Sequence, residues 1–338
     1  METEENKLTY LDYKSKSNPR WCPGCGDHAV LNSVQKAMAE LELDRDNTAV
    51  ISGIGCSSRF TYYVNTYGFH TIHGRASAVA TGVKVANPKL NVWQITGDGD
   101  ALAIGGNHFI HAVRRNVDLT ILLFNNQIYG LTKGQYSPTS KIGFVSKTSP
   151  YGTIEHPFRP GELTIGARGT FFARTIDKEL KTSVEIIKEA ALHHGTSVVE
   201  LLQNCVIYND KVYDEITDRA FKDDRTILLQ HGKPMIFGKD KNKGLILNGI
   251  NLEIVTIGEN GITEKDILVH DETTIEPSMH LKLIGMDYPF PVALGIIRKV
   301  NAPVYDKLLE TQIKEIQASK KVNTFVELAK MGDVWEVK

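Results

Sequence analysis

Apolar positions follow two kinds of spacing along this chain. At Val30, Leu31, Val34, Ala37, Met38 and Leu41 they recur every three or four residues, which predicts an amphipathic helix over about 28–42. "TAVISGIG" (48–55) is instead a short, unbroken, β-branched run closed by glycines, as expected of a strand buried on both faces. The same reading gives strands at "LNVWQIT" (90–96), "LTILLFNN" (119–126) and "SVVELL" (197–202). Helical patterns fill the intervals. One is the small-residue stretch 74–88, ended by Asn87-Pro88, and another lies around 107–116. A third covers 181–195, with Val184, Ile187, Ala191 and Leu192 on one face.

Strands alternating with helices predict an α/β fold, a mostly parallel sheet with helices on both faces. Farther on the pattern changes. Residues 245–272 carry short alternating runs broken by Asn-Gly pairs at 248–249 and 260–261, as hairpins do. A boundary is therefore expected near 225–235, between an α/β domain (1–230) and a C-terminal extension (231–338) with a last helix near 302–318.

Composition removes several classes of function. The 338 residues carry a formal net charge of -1, without the basic excess of a nucleic-acid binder. No apolar run approaches the roughly 20 residues needed to span a bilayer, so no membrane role is expected. The first residues, METEENKLTY, are polar and acidic, unlike a signal or transit peptide, and a cytoplasmic location is the expectation. Only four cysteines occur, at 22, 25, 56 and 205, too few for a secreted disulfide scaffold of this length.

Candidate chemistry lies at the strand ends. In parallel α/β sheets ligands bind outside the carboxyl ends of the strands, and Cys56, Asp98, Asn126 and Cys205 each follow a predicted strand. Asp98 in "GDG" and Asn126 in "NN" would sit on neighbouring strand ends. Hard oxygen ligands of that kind suit Mg²⁺ held against a diphosphate. Glycines 97 and 99 allow close backbone approach, and the following helix would offer free N–H groups to the anion.

The knuckle "RWCPGCGDH" (20–28) is ambiguous by itself: zinc, disulfide exchange and electron transfer all use CxxC. A structural zinc site normally uses two compact pairs, whereas Cys56 and Cys205 are lone residues far apart. A thioredoxin-like pair lacks its preceding strand. Four thiolates are what an iron–sulfur cluster takes.

The segment from "GDGDALAIGG" to "LLFNN" (97–126) resembles the thiamine-diphosphate motif, which begins GDG and ends NN. With "WCPGCGDH", "GIGCSSRF", "HGRA" and "NNQIYGLTKGQYSPTS" the chain resembles the β subunits of 2-oxoacid:ferredoxin oxidoreductases, the 2-oxoglutarate type above all, over roughly residues 18–210. The resemblance implies a pyrophosphate-type thiamine-binding fold. It implies Mg²⁺ held by Asp98, the Asn126 side chain and the main-chain carbonyl of Ile128, and a diphosphate lined by Gly99, Asp100, Gly130 and Leu131. Ile54, Gly55, Cys56, Ser57 and His73 would border the cofactor. Cys22, Cys25, Cys56 and Cys205 would coordinate one [4Fe–4S] cluster.

The implied reaction is coenzyme A-dependent oxidative decarboxylation of a 2-oxoacid, with electrons leaving through the cluster to ferredoxin. Arg59 would contact the substrate carboxylate and His73 would act in the site. For both residues a structural role is the alternative, as it is for His70 and Lys133. The glutamate that activates thiamine lies, in this family, on a different domain. An α subunit would therefore supply it, with further small subunits allowed. Two other readings stay open: a non-oxidative thiamine decarboxylase or carboligase, which has no use for four placed cysteines, and a structural protein built on a four-cysteine zinc site, which does not explain GDG with NN.

Overall fold

The computed structural model describes residues 8–319, 324–335 and 337. Its strands are β1 (Thr48–Ser52), β2 (Tyr67–His70), β3 (Asn91–Gly97), β4 (Leu119–Asn125), β5 (Phe171–Ile176), β6 (Thr196–Leu202), β7 (Thr226–Leu229), β8 (Ile236–Phe237), β9 (Lys243–Asn248), β10 (Asn251–Thr256) and β11 (Val292–Lys299). Eight of them form one sheet in the order β2-β1-β3-β4-β6-β5-β11-β7. From β2 to β5 every neighbouring pair is parallel. The exception is β11, antiparallel to β5 and parallel to β7.

Helices α1 (Asp27–Glu40), α2 (Ala76–Ala86), α3 (Asp98–Leu102), α4 (Gly106–Arg115), α5 (Pro160–Gly166) and α6 (Leu180–Leu192) follow or precede these strands. Side chains alternate across a strand, so each β4 residue belongs to one of two cores. Ile121 and Leu123 pack with Ala80 of α2 and Phe109 and Val113 of α4. Leu122 and Phe124 pack on the other face, with Val30 and Val34 of α1 and Val184 and Ile187 of α6. Covering both faces is why these strands read as unbroken apolar runs.

Helix α1 has no side-chain N-cap. Packing holds it instead: Val30, Leu31, Val34 and Met38 are all buried, each stabilising by about 1.5–3 kcal/mol. That docking fixes the knuckle in front of it.

The expected division near 230 does not split the sheet. Strands β7 and β11 extend the same sheet beyond β5. Met235, Phe237 and Leu245 share a core with Phe109 and Ile121. The hairpin element is present as the antiparallel sheet β10-β9-β8, with β9 and β10 turning at Gly249 and Ile250. The last predicted helix spans Tyr305–Ser319. Among the described residues no helix is long and apolar enough to cross a membrane.

Candidate active site

Sheet order settles where the strand-end residues go. Strands β1, β3, β4 and β6 are consecutive and parallel, so Cys56, Asp98, Asn126 and Cys205 all lie beyond one edge. A cavity of ≈ 410 Å³ opens there. The loop after β1 lines it with Ile54, Gly55, Cys56 and Ser57, and the loop after β2 with His73. Asp98, Gly99 and Asp100 come from the turn after β3, and Asn126, Ile128, Gly130 and Leu131 from the segment after β4. Tyr129, Thr132 and Gln135 complete the wall without having been marked by the sequence.

Asp100 ties three of these loops together. Its Oδ1 accepts from the Ile54 N–H at 3.1 Å, the Gly74 N–H at 2.7 Å and His73 Nδ1 at 2.8 Å, while Oδ2 accepts from Thr96 Oγ1 at 2.7 Å. Both oxygens are thus spent on protein donors. The bond to the carboxylate orients the His73 ring with its Nδ1–H towards Asp100 and Nε2 on the opposite side of the ring. Gly53 makes the arrangement possible, because a side chain there would begin 1.8 Å from Asp100 Oδ2. Gly53→Ala should therefore displace Asp100, costing about 1–3 kcal/mol of stability as overpacking does and weakening cofactor retention. Chemical denaturation and bound-cofactor content would check both effects.

Asp98 is the first residue of α3 and is buried. Its Oδ2 accepts from the hydroxyls of both Ser137 and Thr139. Burial nevertheless pushes its carboxyl up to about 6, against those two hydrogen bonds. The expected helix after GDG is interrupted: α3 ends at Leu102 and α4 begins only at Gly106. Gly99 admits the Tyr129 ring, which a side chain would meet at 2.2 Å, and Tyr129 Oη donates to the Gly99 carbonyl at 2.9 Å.

The asparagine that ends β4 and the one that follows it diverge. Asn125 Nδ2 donates to Glu200 Oε1 at 2.8 Å and its Oδ1 accepts from Thr139. Asn126 Oδ1 accepts from the Ile128 N–H at 3.1 Å, and its Nδ2 donates to Gln203 Oε1 at 2.9 Å. One carboxylate, one amide oxygen and the Ile128 carbonyl thus belong to a single cavity wall.

All four cysteines are free thiols. Cys56 and Cys205 converge on Gly130: a side chain there would start 3.6 Å from one sulfur and 3.5 Å from the other. The knuckle docks on the same spot, with Trp21 Nε1 donating to the Cys56 carbonyl at 2.6 Å and the Gly26 N–H to the Asn204 carbonyl at 3.3 Å. Burial, then Asp27 and the Cys205 and Cys22 thiols, push the Cys56 thiol up to about 12. Burial also raises Cys25, which feels Cys205 and Cys56. Among the described residues, no three His, Cys, Asp or Glu side chains converge to hold a single metal ion.

Arg59 departs from its expected position. It does not line the cavity but a separate depression with Arg20, Ser17 and Asn18. Its Nε donates to Tyr63 Oη at 2.9 Å and its guanidinium lies 5.8 Å from the Tyr62 ring centre. From there its charge acts on Cys56, whose thiol it pulls down. Neither His70, bonded through Nδ1 to Tyr62 Oη at 2.9 Å, nor the exposed Lys133 enters the cavity.

Residues 53–201 match the family described as thiamine pyrophosphate enzyme, C-terminal TPP binding domain. Over 307 residues the chain is 46% identical to the 2-oxoglutarate oxidoreductase subunit KorB of Mycobacterium tuberculosis, covering 89% of this chain and 81% of the relative. The chain belongs to the 2-oxoacid:ferredoxin oxidoreductase β-subunit family. A second relative, the 2-oxoglutarate synthase subunit KorB of Archaeoglobus fulgidus, is 49% identical over 59% of this chain and 75% of its own. The solved 2-oxoglutarate:ferredoxin oxidoreductase from Magnetococcus marinus, with 2-oxoglutarate, coenzyme A and succinyl-CoA bound, superposes with a TM-score of 0.78 at 33% identity. That match covers 98% of both chains. Family membership makes this chain an oxidoreductase subunit, and the sheet edge around the cavity its thiamine-diphosphate domain.

Proposed function

We propose that this β subunit, with an α subunit, converts 2-oxoglutarate and coenzyme A to succinyl-CoA and CO₂, passing the electrons through a [4Fe–4S] cluster to ferredoxin. The observation that carries the reading is Gly130. It lines the cavity, and a side chain there would begin 3.5 Å from the sulfur of Cys205 and 3.6 Å from that of Cys56, which itself lines the cavity. A cofactor in this cavity would therefore lie beside the thiols.

Thiamine diphosphate, when bound, supplies the electron sink on which loss of CO₂ from a 2-oxoacid depends. The rest falls to the chain. Asp98, Asn126 Oδ1 and the Ile128 carbonyl would be the ligands for Mg²⁺ with the diphosphate; the hard oxygen set suits that ion. A cation beside Asp98 would also hold ionised a carboxyl that burial otherwise raises. His73, held by Asp100, offers Nε2 to substrate protons. Ile54, Gly55 and Ser57 bound the cavity beside Cys56.

Cys22, Cys25, Cys56 and Cys205 would bind the four irons of the cluster, one thiolate to each. Four cysteines match the four thiolates such a cluster takes. Free thiols fit a reducing compartment, and the reading includes a cytoplasmic location.

Two features support the α subunit. Among the described residues no glutamate lines the cavity, whose carboxylates are Asp98 and Asp100. Around the opening, Ile72, Ile104 and Leu131 are exposed at 74%, 55% and 50%, apolar surface of the kind that marks interfaces. The substrate is supported by the named relatives and by the ligands of the Magnetococcus marinus enzyme.

Anaerobic co-purification with the α subunit tests the whole. Iron, acid-labile sulfide and thiamine diphosphate are expected in the complex, with ferredoxin reduction that requires coenzyme A and runs faster on 2-oxoglutarate than on pyruvate. Zinc without sulfide would sink the oxidoreductase reading.

A further inference from the structure

Gln203 follows β6 directly and is 1% exposed. A buried primary amide must satisfy one acceptor and two donor hydrogens, and this one meets all three demands at two different sites. Its Oε1 accepts from Asn126 Nδ2 at 2.9 Å. Its Nε2 donates to Cys25 Sγ at 3.4 Å and to the Asn204 carbonyl. We propose that Gln203 is a positioning residue shared by the two cofactor sites, orienting Asn126 for the magnesium ion and donating a hydrogen bond to the cluster ligand Cys25. The proposal rests on the reading of those two sites given above.

The orientation argument is one of donors and acceptors. With Oε1 facing it, Asn126 must present Nδ2 to Gln203 and keep Oδ1 on its other side, where Oδ1 also accepts from the Ile128 N–H. Flipped, the asparagine would set an oxygen against Gln203 Oε1 and an NH₂ against the Ile128 N–H, leaving both contacts repulsive. Gln203 therefore determines which Asn126 atom is available as a metal ligand.

On the other side the effect is electrostatic. A hydrogen bond to a ligand sulfur stabilises the more negative, reduced form of a cluster and raises its potential. Because one buried amide makes both contacts, a shift of Asn126 reaches Cys25 through two hydrogen bonds.

Two substitutions in the anaerobically prepared complex separate these roles. Gln203→Leu removes both contacts. The Mg²⁺ concentration that half-saturates thiamine-diphosphate binding, followed by tryptophan quenching, should rise by about 10-fold or more. The cluster midpoint potential, followed by electron paramagnetic resonance, should move negative. Gln203→Glu keeps an oxygen for Asn126 but replaces the donor to sulfur by a negative charge. Its Mg²⁺ requirement should stay near wild type while its potential moves further negative than in the leucine variant.

Unchanged Mg²⁺ requirement and potential in Gln203→Leu would overturn the proposal. So would parallel losses of both in the two variants, which would mark the residue as structural only. Failure of the underlying reading looks different and is seen in the wild-type complex. Absence of iron and sulfide there removes the cluster and the Cys25 half, and Mg²⁺-independent thiamine binding removes the Asn126 half.

Discussion

Asp98→Ala leaves the assembled complex without thiamine diphosphate. The two carboxylates at the cavity are not equivalent. Asp100 spends both oxygens on four donors from the loops around it, and its loss would unfasten the walls. The hydroxyls of Ser137 and Thr139 both go to Oδ2 of Asp98, and the Gly99 backbone adds to the carboxylate's hydrogen bonds; on the magnesium assignment the cation takes Oδ1. An alanine at 98 removes the only charged ligand proposed for Mg²⁺, and the remaining two are neutral oxygens. Retention should fall by more than the roughly 10–100-fold that loss of an outer-shell partner costs. Cofactor content after gel filtration measures this directly. Iron and sulfide should be unaffected in the same sample, because the hydroxyls that hold Asp98 come from the segment between β4 and α5, not from the cysteine loops. Undiminished thiamine diphosphate in the variant would dismiss the magnesium assignment.

The parts of the fold that could be read from sequence are those where burial writes a simple pattern. Strands β1, β3, β4 and β6 are covered on both faces, so each is a mainly apolar run, and the polar or thiol residues just beyond the runs mark the ligand edge. Strand β5 carries no such mark. Its Arg174 is neutralised inside the sheet by Glu200 of β6, 2.7 Å away, a pairing that depends on the sheet order. Strand β11 enters the same sheet from far along the chain and in the opposite direction, which local pattern cannot reveal. The hydroxyls of Ser137 and Thr139 were equally invisible: they lie in the irregular segment between β4 and α5, where no periodicity says what a side chain faces. Gln203 reads as the polar end of a strand, and only the approach of α1 to β6 brings the knuckle to it. Arg59 shows that closeness in sequence does not fix where a side chain goes. Three residues from Cys56 in sequence, it is drawn to Tyr63 and away from the cavity.

Cys205→Ala should empty the complex of iron and sulfide while leaving thiamine diphosphate in place. Cys56 cannot make this distinction, since it lines the cavity itself and its carbonyl anchors Trp21. Cys205 approaches Gly130 but takes no part in the cavity wall. With one of four thiolates missing, iron and acid-labile sulfide should fall from about four of each per chain to a small residue. Ferredoxin reduction should fall to background. Release of CO₂ from 2-oxoglutarate in a single turnover should persist, because the cavity and its magnesium ligands are untouched. Asp98→Ala and Cys205→Ala would then fail in opposite ways, one without its thiamine and the other without its electron outlet. A structural zinc protein predicts a different result for the same substitution: zinc lost, the knuckle undocked from the loop after β6, and the melting temperature lowered, with no sulfide in either form. Retention of iron and sulfide by Cys205→Ala would exclude the four-cysteine cluster as drawn.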